Sequence, residues 1–481
     1  MTPWFDPSRV FIGGEWHAPA GCETLPVIDP STGEEIARIA RGSAADIDAA
    51  VIAAEQALAG DWGAMPAFQR GRILARLGQI VLDHTDALAE MEARDVGKPL
   101  TQARNDVIAL ARYCEFYAGA ADKLHGQTIP FQPGFTVYTL REPHGVTGHI
   151  VPWNYPMQII GRSIGAALAT GNACVLKPAE EACLTALAFA DLAHMAGLPP
   201  GALNVVPGLG AEAGAALTAH PGIRHVSFTG SVATGRKVQA AAAENVVPVT
   251  LELGGKSPQL VFADADLDAA LPFLVNAGVQ NAGQTCSASS RILVERAVYD
   301  EVCARMAEAY HALTVGPAMN DLRVGPLISA RQKGIVEHYL AMADPAQILA
   351  RGQLAEGLPD GGHYVAPALI AGIAPDHALA QEEIFGPVQV ILPFEDEEDA
   401  IRIANGTPYG LVASVWSRDG ARQMRLAKRL RAGQVFLNNY GAAGGVELPF
   451  GGTGLSGHGR EKGFEALYAF TSLKTVAAHH G

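Results

Sequence analysis

Paired or regularly spaced cysteines are missing from this chain of 481 residues. Its six cysteines are scattered without a CxxC motif. In a chain this long, that pattern is typical of free thiols in a reducing compartment and not of a disulfide framework. We therefore expect a cytoplasmic protein, and we predict no metal site.

Long hydrophobic runs are also missing. No uninterrupted apolar run reaches the ~18 residues that a membrane-spanning helix needs. The first residues, MTPWFDPSRVFIGGEW, lack the basic and apolar regions of a signal peptide. We expect no membrane partner.

Clustered positive charge is scarce. The chain has 35 Lys and Arg against 49 Asp and Glu, a formal net charge of −14 and a pI near 5.5. Binding to nucleic acid needs clustered Lys and Arg, so it is not expected. The densest basic stretch, Arg422 to Arg431, is typical of one face of an amphipathic helix. Small molecules and other copies of the chain are the expected partners.

The chain length predicts two or three domains. Residues 44–122 carry apolar residues at helical spacing. From about residue 145, short apolar runs alternate with helical stretches, and a second such series covers about 258–450, with helices expected at 265–280, 297–313 and 419–430. This alternation predicts an α/β fold with parallel sheets. The segment 128–145 interrupts the first region with β-type alternation, and FTSLKTVAAHH predicts a final strand.

Two segments carry unusual chemistry, ELGGKSP at 252–258 and GQTCSASS at 283–290. Glu252 ends a predicted strand, and Cys286 has small polar neighbours. A thiol and a carboxylate are the nucleophile and base that make and then hydrolyse a thioester. A buried inert thiol and a solvated strand end are the structural alternatives, and the local sequence does not decide between them.

Three glycine patterns are candidates for a phosphate-binding loop. Gly230 to Gly235 follows the strand HVSF and opens a helix, where backbone N–H groups can bind phosphate. The GxGxxG at 452–457 lacks a preceding strand and predicts a loop, and the glycines at 208, 210 and 214 have a spacing one residue too long. GGKS is not a P-loop, because Thr250 stands where the first glycine is needed.

Further candidates lie at the ends of predicted strands. PWNYP pins Asn154, whose amide suits an oxyanion donor. KPAE offers Lys177 and Glu180 to a ligand, and EEIFGPV places Glu383 and Phe385 before a Gly-Pro turn. Taken singly, each segment is better explained by structure than by function.

Together these segments resemble the aldehyde dehydrogenase superfamily, non-acylating type. PWNYP, KPAE, FTGSxxxG, ELGGKSP, GQTCSASS, EEIFGP and PFGG…SGHGRE occur in the family's order and approximate spacing. The resemblance runs from FIGGEW near residue 11 to SLKTV near the end. It implies a Rossmann-like cofactor domain, an α/β catalytic domain and a small β oligomerisation element. These would take residues 1–124 with 144–255, residues 256–455, and residues 125–143 with 456–481. A homodimer or homotetramer is implied.

The resemblance also implies catalytic roles. Cys286 would be the nucleophile that attacks the aldehyde. The Asn154 side chain and the Cys286 backbone N–H would hold the oxyanion, and hydride transfer to the nicotinamide would leave a thioester. Glu252 would then activate the water that hydrolyses it.

The implied cofactor is NAD. Glu180 suits ribose hydroxyls and repels a 2′-phosphate, so NAD is expected to be preferred, with NADP less favoured. The residues implied to bind it are Trp153, Lys177, Glu180, Gly230, Ser231, Gly235, Leu253, Glu383 and Phe385.

The implied substrate pocket contains Tyr155, Arg162 and Phe450. Arg162 departs from the Trp-Lys that the family often has at this point, where Arg162-Ser163 stands. In relatives, Arg here accompanies either acidic semialdehydes, whose carboxylate it would pair, or aromatic aldehydes. Both substrate classes stay open.

Three other functions share part of this sequence pattern. A dehydrogenase that passes the thioester to coenzyme A would not need Glu252. A thiol hydrolase would not need the cofactor segments, and no histidine lies near a cysteine in a catalytic signature. A catalytically silent homologue would have lost Cys286 or Glu252.

Overall fold

The computed structural model describes residues 3–481, which form two large sheets, three small ones and the helices around them. The strands are β1 (Val10–Ile12), β2 (Glu15–His17), β3 (Thr24–Ile28), β4 (Glu35–Ala40), β5 (Thr128–Ile129), β6 (Phe135–Pro143), β7 (Val146–Val151), β8 (Ala173–Pro178), β9 (Leu203–Val205), β10 (His225–Thr229), β11 (Val249–Glu252), β12 (Pro258–Val261), β13 (Arg291–Glu295), β14 (Thr314–Val315), β15 (Ile348–Arg351), β16 (Gln353–Leu354), β17 (Ala368–Ile370), β18 (Val388–Phe394), β19 (Val412–Trp416), β20 (Gln434–Leu437), β21 (Gly457–His458) and β22 (Thr471–His479).

The helices alternate with these strands over most of the chain. The α-helices are α1 (Ala44–Ala59), α2 (Asp61–Ala64), α3 (Ala67–Asp83), α4 (Thr85–Val96), α5 (Leu100–Ala120), α6 (Pro156–Thr170), α7 (Leu184–Met195), α8 (Ala215–Ala219), α9 (Val232–Glu244), α10 (Leu267–Val279), α11 (Tyr299–His311), α12 (Ala330–Leu340), α13 (Ala378–Gln381), α14 (Glu397–Ala404), α15 (Gly420–Arg429) and α16 (Glu465–Ala469).

The first large sheet has the order β2-β1-β9-β8-β7-β10-β11-β21. Its central strands run parallel, whereas β1 and β21 are antiparallel to their neighbours. Every residue of β8 and β10 is buried, as expected for parallel strands covered on both faces. The expected α/β fold is therefore present, and the sheet's carboxyl edge is the side where such folds bind ligands.

The second large sheet has the order β15-β17-β18-β13-β12-β19-β20, with only β15 antiparallel among these strands. The chain enters it directly after β11, so residues 253–257 link the two large sheets. Each sheet has its own apolar core. A third, small apolar cluster contacts Cys286.

A three-stranded sheet, β22-β6-β5, joins the 128–143 segment to the end of the chain. The two longer strands pair antiparallel over nine residues, from Thr471 opposite Pro143 to His479 opposite Phe135. Exposed apolar side chains such as Phe131 and Leu473 lie on and beside it. None of the helices within residues 3–481 is long and apolar enough to cross a bilayer.

The three helices expected in the second region are α10, α11 and α15, each slightly shorter than predicted. Asp266 and Asp419 begin α10 and α15 by accepting hydrogen bonds from first-turn N–H groups. The loop expected at 452–457 is a 3₁₀ turn followed by the short edge strand β21. The glycines at 210 and 214 bound a π-helical turn.

Candidate active site

Cys286 lies on a tight loop between α10 and β13. Three consecutive residues, Asn281, Ala282 and Gly283, have left-handed φ angles of 50°, 53° and 73°. A Cβ on Gly283 would stand 2.1 Å from the carbonyl oxygen of Gly386, so only glycine fits this approach. The glycine of GQTC is thus required by the backbone path that presents the thiol.

The loop is tied to Asn154 by two hydrogen bonds. The Asn154 Nδ2 donates to the Gln284 carbonyl at 2.9 Å, and the Asn281 Nδ2 donates to the Asn154 carbonyl at 3.0 Å. A side-chain amide has two N–H donors. One N–H of Asn154 therefore fixes its orientation, while the other is available to a ligand beside Cys286.

Glu252 ends β11 and is buried, with 1% of its surface exposed. Neither of its carboxylate oxygens has a hydrogen-bond partner among residues 3–481. Burial raises the pKa of Glu252 well above its ordinary value, and the Arg162 charge opposes that rise. An unpartnered buried carboxyl group is costly in a folded protein, and such groups concentrate at functional sites.

Cys286 and Glu252 lie near each other, close enough for the Glu252 charge to influence the Cys286 thiol. The Phe450 ring belongs to the apolar cluster that contacts Cys286, and a Cβ on the next residue, Gly451, would lie 2.7 Å from Glu252 Oε1. On the other side, a Cβ on Gly255 would lie 2.8 Å from the Cys286 carbonyl oxygen. The two segments that stand out in the sequence thus meet in space.

Cys286 differs from the core cysteines. It is partly exposed, whereas Cys114, Cys174, Cys183 and Cys303 are buried. Burial of its sulfur raises the pKa of Cys286 to about 11, and the Arg162 guanidinium opposes this rise. The resting group is a thiol, so attack on a carbonyl requires that it first lose its proton.

Apolar side chains pack beside Cys286. Phe450 and Phe436 cluster with Leu411 and Val412, and Cys286 and Tyr440 pack against this cluster. Phe450, predicted to line the substrate pocket, therefore belongs to the apolar cluster next to the thiol. Phe436 and Tyr440 were not identified from the sequence, because they belong to no motif.

Arg162 is buried and paired with a carboxylate. Its guanidinium forms an ion pair with Glu461 and donates to the Thr229 hydroxyl at 3.1 Å, and it lies 5.0 Å from the Phe450 ring centre. Ser227 donates to Glu461 at 2.5 Å. This pairing speaks against the hypothesis that Arg162 pairs a substrate carboxylate, which stays a prediction. Glu461 lies in the SGHGRE segment, but the sequence did not predict that it pairs with Arg162.

Tyr155 lies deeper than a pocket-lining residue usually does, with 8% of its surface exposed. Its hydroxyl lies 3.1 Å from the Thr285 hydroxyl, and its ring centre lies 3.9 Å from the ammonium of Lys98. It contacts the residue next to the thiol.

Lys177 and Glu180 follow β8 at the carboxyl edge of the first sheet. The Lys177 ammonium donates to Glu180 at 2.7 Å, and the Gly210 N–H lies 3.5 Å from the other Glu180 oxygen. The position of Lys177 and Glu180 at the sheet edge, and their paired charges, suit a polyhydroxylated ligand such as a ribose.

Gly230, Ser231 and Gly235 form the turn from β10 into α9. Ser231 accepts a hydrogen bond from the Thr234 N–H and is exposed. A Cβ on Gly235 would lie 2.7 Å from the Leu253 side chain. The turn thus presents the first N–H groups of a 13-residue helix beside the ELGGKSP segment, which suits an anion.

Trp153, Glu383 and Phe385 lie near the link between the sheets. The rings of Trp153 and Phe385 meet edge to face at 5.4 Å, and Phe385 has a left-handed φ of 56°. Glu383 accepts from the Gly255 N–H at 3.1 Å, and burial raises the pKa of Glu383 to about 7. Glu383 and Phe385 line a small cavity together with Gly283 and Thr285 of the thiol loop.

Comparison with known proteins agrees with this geometry. Residues 16–476 match the aldehyde dehydrogenase family. The hydroxyisobutyraldehyde dehydrogenase of Mycolicibacterium austroafricanum is 41% identical over 473 residues, which cover 98% of this chain and 93% of that protein.

Solved structures of other proteins are also similar to this chain. A Burkholderia cenocepacia crystal structure, of a candidate aldehyde dehydrogenase, is 66% identical with a TM-score of 0.98 and covers 98% of this chain and 100% of that chain. The NAD⁺ complex of the Bacillus cereus aldehyde dehydrogenase is 38% identical with a TM-score of 0.95 and covers 98% and 96% of the two chains. The chain therefore belongs to the aldehyde dehydrogenase family, whose members are oxidoreductases that oxidise aldehydes with NAD(P).

Proposed function

We propose that this protein oxidises an aldehyde to its carboxylic acid with NAD, through a thioester on Cys286. The observation that carries this proposal is the proximity of Cys286 and Glu252, together with the Asn154 amide that is hydrogen-bonded to the loop bearing Cys286. A nucleophile, a base and an oxyanion donor are the three groups that such a reaction needs.

The Cys286 thiol loses its proton to solvent, and its Sγ then forms a bond to the aldehyde carbon as the carbonyl π electron pair moves onto oxygen. The Asn154 Nδ2–H and the Cys286 backbone N–H stabilise the oxygen that becomes negative. When bound, NAD accepts the hydride that the substrate carbon gives up. Glu252 then takes a proton from water as that water attacks the thioester, and the acid leaves as Sγ is released.

The residues at the carboxyl edge fit a dinucleotide. The start of α9, at Gly230, Ser231 and Gly235 with Leu253 behind, offers N–H groups for phosphate. The residues implied for the two riboses and the nicotinamide ring are Lys177, Glu180, Trp153, Glu383 and Phe385.

NAD is favoured over NADP in this proposal. Glu180 holds a carboxylate at the edge where the adenine ribose would lie, and this charge would repel a 2′-phosphate. The Lys177 ammonium, already paired with Glu180, compensates only in part.

The division of the chain supports an assembly. We propose residues 1–124 with 144–255 as the cofactor domain, 256–455 as the catalytic domain, and 125–143 with 456–481 as the oligomerisation element. The nine paired residues of β6 and β22, with their exposed apolar neighbours, support a homodimer or homotetramer. The scattered free thiols support a cytoplasmic location.

Activity assays test the core of the proposal. Cys286→Ala should abolish NADH formation from a panel of short, long, aromatic and acidic aldehydes. Cys22→Ala, which removes an exposed thiol, is the matched control and should leave the rate unchanged. An active Cys286→Ala protein would overturn the mechanism.

Glu252→Gln tests the second half-reaction. Loss of a positioned base should lower kcat by about a hundredfold to ten-thousandfold while Cys286 still becomes acylated. Adding coenzyme A tests the alternative function, an acylating dehydrogenase. Formation of acyl-CoA at a rate above hydrolysis would identify that function.

A further inference from the structure

A cluster of buried charged side chains lies between α4 and α5 and includes none of the residues assigned to catalysis. Lys98 is fully buried, and its ammonium forms ion pairs with Glu92 at 2.7 Å and with Asp106. The Gln158 amide, on α6, donates to Asp106 at 2.5 Å. The cluster thus connects α4, α5 and α6, and the reaction mechanism uses none of its groups.

The ammonium of Lys98 is held in its charged form. Burial opposes the charge, but Asp106 and Glu92 outweigh it and raise the pKa of Lys98. Burial also raises the pKa of Glu92 well above its ordinary value. A fixed positive charge is therefore held between two buried carboxyl groups.

Tyr155 lies directly on this charge. Its ring centre is 3.9 Å from the Lys98 ammonium, a distance at which a desolvated cation attracts an aromatic face. The ring is fixed from the other end as well, because Tyr155 directly precedes α6 and Pro156 occupies the first helical position. The ring is left with little freedom, so the direction of its hydroxyl is set.

That hydroxyl reaches the nucleophile loop. It lies 3.1 Å from the Thr285 hydroxyl. The Thr285 hydroxyl in turn donates a hydrogen bond to the Gln280 carbonyl at 3.4 Å. Thr285 is the residue before Cys286, so the peptide between them carries the Cys286 N–H. Phenylalanine would fill the same space over Lys98, but only tyrosine makes this contact.

We propose that Lys98, Tyr155 and Thr285 are positioning residues that hold the Cys286 N–H where the substrate oxyanion forms. This inference rests on the proposed function, which gives that N–H its role. Oxyanion stabilisation depends on donors that are already in place, and small displacements are costly. The cluster acts at a distance, through the ring of Tyr155 and its hydroxyl.

A double-mutant cycle tests the Tyr155–Thr285 link. Tyr155→Phe and Thr285→Val each remove one hydroxyl at nearly constant volume. Each should lower kcat by about tenfold with KM nearly unchanged, and the double variant should be no slower than either single one, because both remove the same contact. Effects that multiply to about a hundredfold, or singles with wild-type kcat, would overturn the proposal.

Alkylation of Cys286 distinguishes positioning from general disorder. Iodoacetamide reacts with the thiolate without forming an oxyanion. Its rate should stay within about twofold of wild type in all three variants, at every pH. A fall in alkylation that parallels the fall in kcat would mean that the loop has lost its order, and would reject the specific role.

Lys98→Met tests whether the Lys98 ammonium fixes the Tyr155–Thr285 contact. Lys428→Met, at an exposed lysine, is the control. Without the charge the ring is less fixed, so Tyr155→Phe should cost close to nothing in the Lys98→Met background. A tenfold cost retained there would remove Lys98 from the proposal. If Lys98→Met does not fold, the Tyr155–Thr285 cycle decides alone. Failure of this proposal can be told apart from failure of the proposed function, which is judged by the Cys286→Ala protein.

Discussion

Buried charges are treated differently on the two sides of Cys286. On the α5–α6 side, Lys98 has two carboxylate partners, and Arg162 has Glu461 and a threonine hydroxyl. On the side of β11, Glu252 is buried without a hydrogen-bond partner for either oxygen within residues 3–481. The first arrangement joins helices α4, α5 and α6 through paired charges, while the second leaves a buried carboxyl group without a hydrogen-bond partner among residues 3–481.

The difference follows from the cost of burying charge. A buried ion must be paired or it changes its protonation state. Arg162 keeps its charge and opposes the rise in pKa of both Glu252 and Cys286. The paired side therefore also sets the electrostatic surroundings of the unpaired side.

The largest expected effect comes from breaking a pair. Arg162→Met leaves Glu461 buried without its counterion and should lower the free energy of unfolding by about 3–5 kcal/mol. Urea unfolding measures this loss. Arg9→Met, which breaks an exposed pair with Asp6, is the control and should change stability by at most about 1 kcal/mol.

A compensating variant sharpens that result. Arg162→Met combined with Glu461→Leu removes both charges, so it should regain most of the lost stability. If the double variant is as unstable as Arg162→Met alone, the loss comes from packing and the comparison fails.

Removing the unpaired Glu252 carboxyl group should change the free energy of unfolding in the opposite direction. Glu252→Gln should raise the free energy of unfolding by about 1–3 kcal/mol at about pH 8, because burial disfavours the ionised carboxylate that the unfolded chain carries at that pH, whereas glutamine has no charge. The folded pKa of Glu252 lies above its unfolded value, so this cost is absent below the unfolded pKa and grows as pH rises through the folded one.

Unfolding at two pH values provides the check. At a pH below about 4.3, the unfolded pKa of a glutamate, Glu252→Gln and wild type should have nearly equal stability. A stabilisation of equal size at acidic and alkaline pH, or a destabilised variant at about pH 8, would show that Glu252 is not buried at a cost.

The smallest effect concerns the pair that cofactor binding would rearrange. Glu180→Ala removes the carboxylate that would repel a 2′-phosphate and frees Lys177, so the ratio of kcat/KM with NADP to that with NAD should rise by about tenfold, or about 1.4 kcal/mol. Glu181→Gln, at the next residue, is the matched control. An unchanged ratio in Glu180→Ala would remove Glu180 from cofactor selection.

Much of this arrangement could be predicted from local sequence. The strands that end at Glu252 and near Lys177 are short apolar runs with clear boundaries, and the thiol loop follows from its glycine and small neighbours. The pairing of Arg162 with Glu461, and of Tyr155 with Thr285, could not. Those contacts join residues far apart in the chain, and no periodicity or spacing records which side chains will meet.

The C-terminal strand has a practical consequence. β22 lies at the outside of its small sheet, so one row of backbone N–H and C=O groups has no strand beside it within residues 3–481. Such a row can add a further strand from any matching chain. Affinity tags fused after Gly481 would extend from this open row, so a tag at the other terminus is the safer choice for purification and for measuring how subunits associate.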